Sequence, residues 1–194
     1  MDTRPGGLDP AEREQAAHTT ARLLVQGARE SDDPQTVRRL VELTDDHGIE
    51  VLAHLWAEAA AESLAGALWR LYALRAWVHR DPGAASREFD CGRRLSPVLE
   101  VVAGVADPPG PVQVRALVDV VLTGAYRGDF AVALERAAAF ARIVAVGRAH
   151  EPGAGVDAAD HDAVAASVHS AARLVRTAEQ LEVAARHWRA GELH

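Results

Sequence analysis

The sequence predicts an all-α protein of antiparallel helical hairpins, arranged as a bundle or a short solenoid and ending in a long C-terminal helix. Three observations carry that reading. Alanine, leucine, valine, arginine and glutamate dominate the 194 residues. No stretch sustains the period-two alternation of β-branched and aromatic residues that a half-buried strand needs. Helix start signals recur along the chain, each built on an aspartate that can accept from the open N–H groups of a first turn.

Asp9-Pro10-Ala11-Glu12 opens the first helix, 9–30, with aspartate at the N-cap and proline at N1, where its missing N–H costs nothing. Asp33-Pro34 opens 34–46 in the same way. Helices are expected next over 49–60 and 62–80, with weak breaks around 47–48 and 60–62. Asp81-Pro82 precedes 84–92, and 95–106 follows. Asp107-Pro108-Pro109-Gly110-Pro111 is a stiff turn whose last proline suits N1 of 111–127. Gly128-Asp129 ends that helix and starts 129–149. His150 to Val156, HEPGAGV, mixes glycine and proline without an apolar anchor and reads as a linker. The last helix is 157–191. The expected organisation is a disordered N-terminus at 1–8, a helical core domain at 9–149, the linker at 150–156, and a C-terminal helix packed on the core or on a second subunit. Leu64–Arg80 is expected to be the central helix.

Two segments, ALWRLYALRAWVHRDPGAASRE and ALVDVVLTGAYRGDFAVALERA, both run helix, short break, aspartate, helix. They lie about 49 residues apart, a period that suits stacked helical hairpins. The second, LTGAYRGDFAVALERAAAFA, resembles the helix-turn-helix of a tetratricopeptide repeat (TPR), with a Gly-Asp-aromatic turn before Ala-Leu-Glu. The resemblance covers about 30 residues, and the family's other marker positions are missing from the rest of the chain. It implies antiparallel hairpins, of the kind that stack in TPR or HEAT solenoids, and no activity.

The totals exclude several functions. A net charge of −7 argues against a general grip on nucleic acid or anionic lipid. One cysteine, Cys91, leaves no intrachain disulfide. MDTRPGGLDPAEREQ has no apolar segment of a secretory leader, and no charge-free apolar run approaches the ~18 residues of a membrane span. A cytoplasmic protein is expected. All 21 Lys+Arg residues are arginine, and asparagine is absent, which fits GC-rich coding better than a selected taste for anions.

Chemistry-bearing patterns are few. Glu50, His54, Glu58 and Glu62 form one helical stripe, but the Glu-x-x-His pairs of a di-metal bundle do not occur. Asp157, Asp160, His161, Asp162 and His169 gather near the start of the last helix, where acids complement the helix dipole without any metal. Cys91 has no histidine close in sequence to act as its base. A helix-turn-helix imagined in PQTVRRLVELTDDHGIEVLAHLW, Pro34 to Trp56, fails because its second helix, IEVLAHLWAEAAAE, offers no arginine for base readout. No P-loop, Rossmann, HExxH or GxSxG pattern is present. No metal or cofactor is expected, and an enzyme is the less favoured class.

The stretch LWRLYALRAWVHRDP, Leu68 to Pro82, is the informative one. It is apolar nearly all round, as a helix buried in a bundle must be. Its polar groups then need partners. Arg70 and Arg75 are expected to meet carboxylates, with Glu58, Glu62 and Asp119 as structural ion-pair candidates, because an unpaired buried guanidinium costs several kcal/mol. Arg70, Tyr72, Arg75, Trp77 and His79 are the ligand or interface candidates. In the last helix, Val164, Val168, Ala171, Val175 and Ala178 form a coiled-coil-like seam, and Leu174, Leu181 and Trp188 form a second line. The expected function is a non-catalytic intracellular protein-interaction or regulatory module that self-associates or holds another protein through the C-terminal helix. The alternative is a helical enzyme or binder of a small anionic ligand, using an Arg/His/Tyr pocket on Leu64–Arg80.

Overall fold

A computed structural model describes residues 9–47, 49–104, 110–150 and 161–194. Among them are ten helices and no strand: α1 Pro10–Glu30, α2 Pro34–Val41, α3 Leu43–His47, α4 Ile49–Trp56, α5 Leu64–Arg80, α6 Pro82–Leu95, α7 Pro97–Ala103, α8 Pro111–Arg127, α9 Phe130–His150 and α10 His161–Ala190. The all-α class is as expected. The N-terminus at 1–8, the linker beyond His150, and Asp157 and Asp160 lie outside the described residues, as do the side chains of His161 and Asp162.

The aspartate start signals act as N-caps. Asp9, Asp33 and Asp81 accept from the N–H groups of Ala11, Gln35 and Ala84, and Glu12 completes a capping box on α1. Asp129 accepts from Ala131 at 2.9 Å and Val132 at 3.3 Å. Each cap satisfies donors that the helix itself leaves open. The segment 34–46, expected as one helix, breaks at Glu42 into α2 and α3. That break brings Thr44 and Asp45 over Arg75.

Two helices share the centre. α5 packs against α1, α4, α8, α9 and α10, while α9 is enclosed by α5, α6, α7, α8 and α10. The sequence reading placed α5 there alone. α9 owes its place to an alanine-rich surface, FAVALERAAAFARIVAVG, that lets neighbours approach from every side. A helix so enclosed belongs to a bundle, not to the open stack of a solenoid. The two echoing segments lie side by side, α5 on α8 and α6 on α9.

α6 and α9 approach to backbone contact. A Cβ added to Gly147 would stand 1.8 Å from Glu88 O, and one added to Gly92 would stand 1.9 Å from Ile143 O. Only glycine allows two helix backbones to touch like this. Phe89 stacks on Phe140 beside the crossing, with centroids 5.4 Å apart.

α10 lies along α9 and also touches α5. Ala171, Ala178, Leu181, Ala184 and Ala185 are buried there. Arg142 forks Glu182 at 2.8 and 2.9 Å, and Arg189 forks Glu135, tying the two helices across their outer edges. α10 ends in a Schellman turn: Gly191 has φ +73°, and Glu192 N–H donates to His187 O at 2.8 Å. Leu193 is then buried, and Leu64 N–H at the start of α5 donates to His194 O at 2.9 Å. α10 is thus held against α5 at one end and along α9 over its length. No helix among the described residues is long and apolar enough to cross a membrane.

Candidate functional site

α5 carries its polar groups on two opposite sides, and they meet different fates. On one side Arg75, only 2 % exposed, is fully engaged. Its Nε donates to Asp119 at 2.6 Å, and its two Nη groups fork Asp45 at 2.9 and 2.8 Å, with Thr44 Oγ1 also at 2.9 Å. Burial alone would lower the Arg75 pKa, but the two carboxylates outweigh it and hold the guanidinium above its usual value. The hydrogen bond from Arg75 likewise holds Asp45 below the ordinary carboxylate range, against the opposing effect of burial. His79 Nε2 lies 2.9 Å from the same Asp119 oxygen; since a carboxylate only accepts, Nε2 carries the hydrogen.

Tyr72, one turn before, is buried and donates to Leu40 O at 2.5 Å. Its oxygen therefore accepts from Tyr126 at 2.8 Å. Burial pushes the Tyr72 phenol up to about 12, with the Tyr126 hydrogen bond opposing. Burial also raises Tyr126. Arg75 and His79 floor an open cleft of about 590 Å³, which Arg38, Arg115, Arg127, Glu42, Asp45 and Asp119 also line. Both signs of charge mix there. Arg75 and His79 lie on the floor of that cleft with their polar atoms engaged by Asp45 and Asp119, and Tyr72 is engaged by the Leu40 carbonyl.

On the opposite side, between α5 and α10, lies a groove of about 320 Å³. Trp69, Ala73 and Trp77 succeed one another at steps of four along α5, so an alanine sits between two indoles on one stripe. Leu74 and Leu174 add apolar surface, and Ser170, Thr177 and Gln180 line the α10 side. Among the described residues three guanidinium groups face the groove and no carboxylate does. Arg148 forks Glu88 at 3.0 and 2.7 Å and stacks 4.8 Å above the Trp77 ring, so its charge is largely answered. Arg173 is exposed and has no ion-pair partner among the described residues.

Arg70 is the unusual one. Its Nε donates to Gln180 Oε1 at 2.8 Å and its Nη1 to Gly66 O at 2.7 Å, both neutral acceptors. No carboxylate among the described residues pairs with it, and burial lowers its pKa, with the more distant Glu62 opposing. A half-buried guanidinium held by neutral groups beside an aromatic wall keeps a positive field that an ion pair would answer more fully.

The remaining candidates separate. Asp119 pairs with Arg75 as expected, but Glu58 and Glu62 do not pair with the α5 arginines. Glu58 receives Arg13 of α1 at 2.6 Å, and Glu62 is exposed. Asp45 takes the place assigned to them, because the break after α2 swings α3 over α5. Glu50 and His54 are exposed on α4. Among the described residues no group of three or more His, Cys, Asp or Glu is placed to hold a metal ion. Of the ligand or interface candidates, Arg70 and Trp77 line this groove; Ala73, Arg148 and Arg173, which also line it, are not among them. The spacing Trp69-x3-Ala73-x3-Trp77 was the available signal for the bay. Compared with models of protein families, with curated proteins and with solved structures, the chain matches none.

Proposed function

We propose that the chain is a non-catalytic helical binding module that holds an anionic partner in the groove between α5 and α10. The observation that carries this reading is Arg70, half-buried and, among the described residues, without a carboxylate partner, in a groove whose described lining holds tryptophans and no acid. An anion there gains a guanidinium whose dehydration the fold has already incurred, so binding loses less to desolvation than it does at an exposed arginine. The enzyme alternative built on Arg75, His79 and Tyr72 has less support, because those groups already hold Asp45, Asp119 and the Leu40 carbonyl. Self-association through the seam of α10 would have to displace α9 from Ala171, Ala178 and Leu181.

Isothermal titration with organic acids, an acidic hexapeptide and their neutral amides tests the reading. Anions are expected to bind and amides not. Arg70→Gln is expected to weaken binding about ten-fold or more, as loss of a charged hydrogen-bond donor does. Arg38→Gln, in the opposite cleft, is expected to change nothing. Binding that Arg38→Gln abolishes and Arg70→Gln leaves intact would place the site elsewhere.

A further inference from the structure

This inference rests on the groove reading and narrows it. We propose that the occupant is a small planar aromatic monocarboxylate, its carboxylate on Arg70 and its ring in the bay over Ala73, between Trp69 and Trp77.

The charge of the ligand follows from which guanidinium is uncommitted. Arg148 is already forked by Glu88, and Arg173 is exposed to solvent, where its field is screened. Among the described residues that leaves Arg70 as the half-buried cation of the groove with no ion-pair partner, opposed only by the more distant Glu62, and one such group balances a monoanion. Its Nη2 takes part in no hydrogen bond among the described residues, while Nε and Nη1 are fixed by Gln180 and Gly66. The guanidinium plane is therefore held before the ligand arrives, and a planar carboxylate matches it better than a tetrahedral dianion served by a single arginine.

The body of the ligand follows from the stripe 69, 73, 77. Replacing a large side chain by alanine between two tryptophans one turn away on each side leaves a recess bounded by indole rings. Leu74 and Leu174 make it apolar, and a flat ring against indole gains more than its buried area alone provides.

The size follows from what closes the ends. At one end the Arg70–Gln180 hydrogen bond, 2.8 Å, crosses from α5 to α10. At the other, Arg148 of α9 donates to Ser170 Oγ of α10 at 2.7 Å. An extended peptide lying along the groove meets a bar at each end. A molecule of one or two fused rings fits a recess of about 320 Å³ without breaking either.

Isothermal titration of the full chain with 2-naphthoate, 2-naphthamide, decanoate and an acidic hexapeptide tests the proposal. 2-Naphthoate is expected to bind at least about ten-fold more tightly than the other three. Arg70→Gln removes the charge, and Ala73→Leu fills the bay while leaving every arginine in place. Each is expected to weaken naphthoate binding about ten-fold or more, with melting curves confirming the fold. Naphthoate binding that survives Ala73→Leu would overturn the proposal, as would decanoate or the amide binding equally well. If only the hexapeptide binds, and needs Arg70, the aromatic acid is wrong and the anionic groove stands. If no anion binds the folded chain, both fall.

Discussion

Replacing Gly147 by alanine adds a single methyl group, and its effect can be worked out from the crossing of α6 and α9. The new Cβ would stand 1.8 Å from Glu88 O, 2.7 Å from Glu88 C and 3.0 Å from Gly92 N, all backbone atoms. None can rotate away. α6 must retreat by roughly 1.5 Å to restore ordinary contact, and dispersion across a gap of that size falls by half or more. The Phe89–Phe140 stack and the Arg148–Glu88 fork straddle the same crossing and move with it. Overpacking that forces backbone shifts costs ~3 kcal/mol, while alanine's helix propensity returns ~1 kcal/mol, leaving a net loss of about 2 kcal/mol. Gly27 in α1 is the matched control, because a Cβ there meets nothing within 4 Å. There the propensity gain stands alone, and Gly27→Ala should stabilise by ~0.5–1 kcal/mol. Urea unfolding followed by circular dichroism reads both. In thermal melts the pair should differ in sign, with Gly147→Ala lowering Tm by roughly 4–8 °C for a chain of this size. If Gly147→Ala is as stable as the parent, α6 and α9 do not cross in backbone contact and the packing described above is wrong.

Two further outcomes concern the polar interior. Tyr72 and Tyr126 are the only tyrosines of the chain, and both are buried and raised in pKa, Tyr72 to about 12. A phenol whose folded pKa is raised contributes stability that is full below its unfolded value, about 10, and is lost as pH rises through the folded value. Ultraviolet titration should therefore show no phenolate in the folded chain near pH ~10, followed by release of both together as the chain unfolds; one tyrosine ionising normally would contradict the Tyr126–Tyr72–Leu40 relay. Arg75→Met takes the guanidinium from Asp45 and leaves Asp119 with His79 alone. Both carboxylates reach solvent, so the cost should be near the lower end for a broken buried pair, ~3 kcal/mol by urea unfolding. Adding Asp45→Asn and Asp119→Asn to Arg75→Met should recover part of that loss, and no recovery would mean the cluster is not the source of the cost.

Local chemistry was legible in the sequence and tertiary approach was not. Asp9, Asp33, Asp81 and Asp129 all cap helices because an N-cap needs only the next three residues. Asp119 was identifiable as a partner of Arg75 because both lie on long helices whose buried faces are readable. Asp45 was missed because a break at Glu42 decides where it goes, and a weak helix interruption leaves little mark on periodicity. Gly92 and Gly147 set the crossing of α6 and α9. Each sits inside a helix, where glycine is destabilising by roughly 0.5–1 kcal/mol relative to alanine, and that misfit was the one signal of a close crossing. In the groove, α5 supplied Arg70 and Trp77 to the reading, but the counterpart surface comes from α9 and α10, and no pattern along α5 announces which helices face it.

Glu88 offers a way to separate a binding groove from a merely structural gap. It neutralises Arg148, which otherwise faces the groove as a second cation. Glu88→Gln keeps a hydrogen-bond acceptor on Arg148 and removes the negative charge. The guanidinium stays over Trp77 and keeps its bond to Ser170, so the groove's shape is preserved. For an anion on Arg70, loss of one negative charge at a nominal ~10 Å, about the helical rise from residue 70 to residue 77, is worth between ~0.4 kcal/mol in bulk water and ~1.7 kcal/mol at the effective dielectric of a protein surface. A middle value near 1 kcal/mol corresponds to about five-fold tighter binding of 2-naphthoate. The gain should shrink in ~1 M salt, where the Debye length falls to about 3 Å. The variant will be somewhat less stable, since a partly buried ion pair is lost, yet it should bind better. Reduced stability together with higher affinity is what a site with an unanswered positive field requires. A structural gap, indifferent to charge, would show the first effect without the second, and that result would refute the groove as an anion site.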